Sequence, residues 1–368
     1  MAVWKFFKRN TVLCVAALAA IITCFFVPPS KEYLGYFDFK TLACLFLTLA
    51  VICALKNIKF FTILARKIVT FTGNLRILAL ALVYITFIGS MLIANDMALI
   101  TFLPLGFFAM QVTKNEKHMA YIFILQNISA NLGGMLTPFG NPQNLYLYSY
   151  FNIPTGEFTT IMLPPFLLAV AMLTAACFLL KPEKLSIEKE FPEPLNIKKA
   201  ILYLVLFAFS IVIVFRVIPY WIGLIVIPAV LLVVDRKALK SVDFSLLLTF
   251  VMFFIFAGNM SRINAVQRVV SGLLEKSTLL VSAASCQCIS NVPSAILLSR
   301  FTTNYKELLL GVNIGGTGTL IASLASLITF SEFRILYPGH EKRYIILFVL
   351  INTVFLVVLL TAAYFFFI

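Results

Sequence analysis

Asn131-Leu-Gly-Gly-Met-Leu-Thr137 and Asn313-Ile-Gly-Gly-Thr-Gly-Thr319 are one phrase written twice, 182 residues apart (131 to 313). Each copy interrupts a long apolar stretch with residue types that weaken helices. In lipid, irregular backbone survives only where protein or a water-filled cavity covers it. A matched pair of breaks in two halves of a chain points to a binding site at a repeat interface. The phrase therefore predicts an internally duplicated membrane protein whose chemistry lies at Asn131, Gly133, Gly134, Thr137 and at Asn313, Gly315, Gly316, Thr319.

Composition agrees. The 368 residues are 61% hydrophobic and 12% charged, with a mean hydropathy of +1.01. Soluble domains carry roughly 25% charged residues. The net charge of +14 could suggest nucleic acid. The basic residues instead sit in short loops between apolar spans, as the positive-inside rule requires, so no nucleic-acid partner is expected. The seven cysteines lie mostly within apolar segments without pairing or metal-ligand spacing. They read as small apolar residues. Residues 1–27 resemble a signal peptide, but no small-residue cleavage site follows Val27-Pro28-Pro29, and the repeat needs this segment as its first span.

The apolar segments fall at about 11–27, 36–55, 76–93, 97–112, 119–150, 158–180, 199–218, 219–235, 244–260, 278–289, 294–303, 308–330 and 344–367. Lys56–Thr72 and Arg262–Lys276 are basic and amphipathic, the character of interfacial helices. Each leads into a pair of apolar arms with a polar tip, Ala94-Asn95-Asp96 or Ser290-Asn291-Val292-Pro293. The arms at the second tip are too short to span a bilayer. Both units are therefore read as re-entrant hairpins.

The predicted fold is an all-α polytopic membrane protein of two repeats, each with a re-entrant hairpin and a broken transmembrane helix. Repeat one covers 1–180, a cytoplasmic linker and connector span cover 181–218, and repeat two covers 219–368. A single connecting span starts the second half on the opposite side, so the repeats are inverted. With the N-terminus in the cytoplasm, the inner loops collect most of the Lys and Arg residues. Residues 181–199 read as a solvated strap.

Free N–H groups and carbonyls at a mid-membrane helix break carry partial charges that receive ligands. Asn and Thr side chains supply donors and acceptors beside them, and Gly lets the backbone approach closely. Asn95 and Asn291 match at the tips; Gly140, Pro142, Pro293 and Gly318 mark further backbone breaks. Alternatively, a tip Asn only caps a helix, and Gly-Gly only permits close helix packing.

Asp96 is the one carboxylate set well inside an apolar stretch, and its repeat mate is Val292. Such a residue is a functional-site hypothesis by default. Binding of Na⁺, carriage of a proton and capping of the next helix all remain open for it. No Lys or Arg lies in these motifs, the nearest being Arg300, and both His118 and His340 fall in loops. Cys286-Gln287-Cys288 reads as packing rather than a metal site. No cofactor is expected beyond a coupling Na⁺ or proton. An intramembrane hydrolase is disfavoured, because there is no His-Glu-x-x-His and no carboxylate partner for Asp96. A channel stays open as an alternative, since re-entrant hairpins also build filters.

Asn95-Asp96-Met97-Ala98-Leu99, Thr137-Pro138-Phe139-Gly140-Asn141-Pro142-Gln143-Asn144 and Ser290-Asn291-Val292-Pro293-Ser294 resemble the ion transporter superfamily, specifically its citrate transporter-like domain. That group includes citrate–metal symporters, arsenite permeases, sodium/proton antiporters and divalent-anion/sodium symporters. The resemblance covers roughly residues 10–365. It implies a homodimer in which a scaffold domain holds a transport domain that shuttles substrate by an elevator-like motion. It also implies substrate and cation sites at Asn95, Asp96, Asn141, Asn144, Asn291, Thr317 and Thr319. The Ser-Asn-Thr signature of the dicarboxylate branch is absent, since Val292-Pro293 follows Ser290-Asn291. That departure and the short chain lie nearer the arsenite-permease and citrate–metal side.

The expected function is a Na⁺- or proton-coupled permease for a small anion, such as citrate, another carboxylate or an oxyanion, in the cytoplasmic membrane. The alternatives are a Na⁺/H⁺ antiporter of the same superfamily and an arsenite efflux permease. Selectivity is expected where the halves disagree, at Asp96 against Val292 and at Gly140–Asn144 against Ala322–Ser326.

Overall fold

A computed structural model describes residues 10–63, 72–185 and 194–368. Residues 64–71 of the expected amphipathic helix at 56–72 lie outside the described residues, as does the middle of the 181–199 strap. Among the described residues the chain is helical with no named strand, as the need to satisfy every backbone group in lipid dictates. Eight of the described helices are long and apolar enough to cross a membrane.

The first half runs α1 (Thr11–Phe26), α2 (Phe39–Asn57), α3 (Leu75–Ile93), α4 (Asn95–Val112), α5 (Met119–Gly133), α6 (Pro142–Tyr150) and α7 (Thr155–Phe178). Then come α8 (Ile197–Val214), α9 (Tyr220–Val234) and a short α10 (Arg236–Lys240). The second half continues with α11 (Phe244–Ser261), α12 (Asn264–Lys276), α13 (Thr278–Ile289), α14 (Asn291–Leu298), α15 (Tyr305–Ile314), α16 (Leu324–Leu336) and α17 (Glu341–Ala362).

Ordinary caps start many of these helices. Asp38, Asn74, Asn196, Asp243, Ser277, Asn304 and Ser323 each accept a backbone N–H of the first turn, which satisfies one of the orphan donors there. The expected amphipathic helix at 262–276 appears as α12, with Leu274 its one buried residue.

Both expected breaks are present. The 119–150 segment divides into α5, a 3₁₀ turn Gly134–Leu136, a loop and α6; the 308–330 segment divides into α15, a looped stretch and α16. Both tips are present too, as α3–α4 and α13–α14. Their arms differ in length: α3 and α4 have 19 and 18 residues, whereas α13 and α14 have 12 and 8.

The helices pack in two groups. In one, α1 lies along α11, and α2 packs on α8, α9 and α10. In the other, α3 packs on α4 and α5, α13 on α14 and α15, α16 on α4 and α5, and α17 on α5 and α7. Contacts of α14 with α11 and of α6 with α2 join the groups. That boundary holds the candidate site.

Candidate functional site

The tips are built alike. Ala94 has φ 66° and ψ 151°, and Ser290 has φ 75° and ψ 158°. This region is essentially reserved for glycine and costs on the order of 1–3 kcal/mol at other residues. It ends one arm and starts the next with no cap from its own side chain. The break supplies a cap instead: Asn95 N–H donates to the Gly140 carbonyl (3.2 Å) and Asn291 N–H to that of Ala322 (2.9 Å). Asn95 Oδ1 accepts from Asp96 N–H, and Asn291 Oδ1 from Val292 N–H, each at 2.9 Å.

The breaks also fasten to their hairpins in matching ways. Thr137 Oγ1 donates to the Met91 carbonyl (2.9 Å) and Thr319 Oγ1 to that of Gln287 (3.2 Å). A Cβ on Gly133 would collide with the Phe87 carbonyl and Ser90 Oγ of α3. One on Gly315 would press on Ala283 and Cys286, the corresponding residues of α13. The first glycine and the closing threonine of the duplicated phrase thus make matching contacts in both copies.

Between the halves the breaks cross. Asn131 Nδ2 donates to Ser323 Oγ (3.0 Å), the N-cap of α16. Asn141, the residue at the start of α6, donates from Nδ2 to Asn313 Oδ1 (3.4 Å). Each break asparagine therefore reaches the first polar residue after the other break. Asn131 Oδ1 also receives Asn95 Nδ2 at 3.2 Å.

Asn313 Nδ2 donates to Asn144 Oδ1 (2.6 Å) and to the Leu309 carbonyl (2.8 Å). Asn144 Nδ2 in turn ties down the Gly134 and Met135 carbonyls, both at 3.2 Å. Thr317 Oγ1 is spent on the Ile314 carbonyl. Buried amides need partners, and here they largely find them in one another. Asn131, Asn144, Asn313, Thr137, Thr317 and Thr319 therefore hold the crossing in shape with the polar atoms named.

A cavity of about 300 Å³ lies where α1 and α11 meet the tips. Asn95, Asp96, Gln143 and Asn291 form part of its wall, faced by apolar residues that include Val12, Phe250 and Phe253. Asp96 also borders a cavity of about 80 Å³ with Thr48 and Asp243. Among the described residues no Lys, Arg or His lines either space. Asp96 Oδ1 and Gln143 Oε1 are buried without a hydrogen-bond partner among the described residues, as is Asn141 Oδ1. One carboxylate with neutral oxygens nearby is a donor set suited to a proton or a monovalent cation.

The structure brings Asn95, Asp96, Pro142, Asn291 and Pro293 to the cavity wall, and the remaining sequence-derived residues are not part of that wall. Sequence reasoning missed Asp243, whose Oδ1 caps α11 at Leu246 N–H (3.0 Å), because it reads as one more loop acid. It also missed Cys288, an exposed thiol on the cavity wall. Gln143 was visible as part of the segment that the second half does not repeat.

Known proteins bear on this geometry. The family described as citrate transporter matches residues 1–307. An uncharacterized transporter of Methanocaldococcus jannaschii is 33% identical over 294 residues, which is 79% of this chain and 80% of the relative. The inner membrane protein YbiR of Escherichia coli is 30% identical over 336 residues, 88% of each chain.

Proposed function

This chain belongs to the citrate transporter family, and from that membership we propose a secondary active transporter that moves a small anion across the cytoplasmic membrane, coupled to Na⁺ or protons. Citrate, another carboxylate and an oxyanion are the candidate cargoes. Membership supports a multi-pass membrane transporter; the cargo, the coupling ion, the membrane and a cytoplasmic N-terminus belong to this proposal.

The crossed breaks carry the reading. The N-termini of α4, α6, α14 and α16 converge on the crossing, and helix N-termini favour anionic groups. Asp96, with its unpartnered Oδ1, takes the coupling ion in this scheme. The matched tips, breaks and Thr bonds support two inverted repeats, 1–180 and 219–368, with both tips re-entrant. The two packing groups support a scaffold (α1, α2, α8–α11) and a moving body (α3–α7, α13–α17) that slide past one another in an elevator-like motion within a homodimer.

One observation favours a second reading, a Na⁺/H⁺ antiporter: among the described residues the cavity wall carries a carboxylate and no fixed positive charge. Proteoliposomes separate the two. Uptake of citrate, dicarboxylates or arsenite driven by an imposed Na⁺ or pH gradient supports anion transport. Proton movement driven by Na⁺ with no anion present supports the antiporter and removes the anion proposal.

A further inference from the structure

Gln143 stands in the 300 Å³ cavity wall with a side chain that its neighbours orient. The chain of constraint starts at a backbone carbonyl, which can only accept. Asn313 Nδ2 donates to the Leu309 carbonyl at 2.8 Å, which leaves Asn313 Oδ1 as an acceptor. Gln143 must then present Nε2 to that oxygen, at 3.3 Å. Its Oε1 is left over. An amide offers donors at one end and only acceptor lone pairs at the other, so the free end takes a donor.

The side chain is 1% exposed, and Oε1 has no partner among the described residues. Other buried amide oxygens are also unpartnered, on Gln126, Asn141, Asn259 and Asn352, but those residues are absent from the cavity wall. Asp96 Oδ1 shares the cavity and the lack of a partner. The cavity wall is mostly apolar, with Ile321, Leu324 and Leu327 beside the polar Asn95, Thr249, Ser290 and Asn291, and none of these donates to Gln143 Oε1. In the second half the matching position is Ala325, so the feature belongs to one repeat alone.

We propose that Gln143 is a specificity-determining residue, its Oε1 accepting a hydrogen bond from an alcohol hydroxyl of the transported acid, so that the site selects hydroxy acids over the same acids without the hydroxyl. The inference rests on the anion-transport reading. Asp96 supplies the charge that a coupling cation needs, and the neutral Gln143 Oε1 is satisfied fully by one hydroxyl. A site built to hydrogen-bond a substrate hydroxyl discriminates against an analogue lacking it, because the buried acceptor is then left unpaired.

Matched pairs test this in proteoliposomes: malate against succinate, and citrate against propane-1,2,3-tricarboxylate. For the wild type, the hydroxylated member of a transported pair should show a KM lower by about 10-fold, the order expected for one buried acceptor satisfied or orphaned. Gln143→Met, which keeps the length and removes the acceptor, should reduce that ratio to within about 2-fold. Equal KM values within each pair for the wild type overturn the proposal while anion transport stands, and that comparison needs no variant to fold. A preference that survives Gln143→Met in protein of wild-type elution profile also overturns it. If neither member of either pair is transported, carboxylate transport itself fails and the proposal falls with it.

Discussion

Asn313 shows how much one amide can organise. It receives Asn141 and Gln143 and donates to Asn144 and the Leu309 carbonyl, so it holds the start of α6 against the end of α15. Asn313→Ala should lower stability by roughly 1–3 kcal/mol, the cost of buried polar groups left unpaired. A clear drop in Tm in detergent checks this, and an unchanged Tm would reduce the crossing to a coincidence of packing. Asp96 makes the opposite expectation. Its Oδ1 has no partner to lose, so Asp96→Asn should fold with wild-type stability while ion coupling fails. Much of this was readable in the sequence, because Asn, Gly and Thr inside apolar runs have few uses other than breaks and sites. The private bonds were not, since nothing local tells Asn141 that its partner is Asn313.

At the scale of elements, the tips and the glycines set the fit. Ala94 and Ser290 sit in backbone conformations that suit glycine. Ala94→Gly should relieve that strain and leave folding intact, whereas Ala94→Val should destabilise by on the order of 1–3 kcal/mol. Thermal unfolding of the pair separates them, and equal Tm values would contradict the strain assignment. Gly133→Ala would drive a methyl into the Phe87 carbonyl of α3, and overpacking of this kind costs typically about 1–3 kcal/mol. A wild-type Tm for that variant would mean that α5 can move off its hairpin freely.

Helix identity, both breaks and both tips were legible here, because apolar length and polar interruption are properties of single segments. The positive φ at Ala94 was not, since alanine carries no local signal for it. Nor was the extra short helix α10. Expected ends shifted by a few residues where caps decide them; the arm expected at 294–303 begins at Asn291 and ends at Leu298.

At the scale of the molecule, the site lies on the seam between the packing groups rather than within either. The order of spans, tips and breaks was readable by counting segments, whereas the division into groups needed contacts between residues far apart in the chain. Asp243 is the clearest case: it caps α11 in one group and borders the same small cavity as Asp96 in the other. If the groups slide during transport, tethering them across the cavity should stop it. Thr249 and the native Cys288 line the 300 Å³ cavity from opposite groups, so Thr249→Cys places a second thiol across it. A short bifunctional thiol reagent should abolish uptake in that variant and spare the wild type, which lacks the second thiol on α11. Full uptake after complete cross-linking would rule out sliding at this seam.

The most direct measurement of the whole account is accumulation in proteoliposomes under an imposed Na⁺ or pH gradient, wild type beside Asp96→Asn. The account predicts that the wild type concentrates its acid only when a gradient is imposed, and that the variant, equally folded, no longer does so. Gradient-driven accumulation by Asp96→Asn equal to the wild type would contradict it.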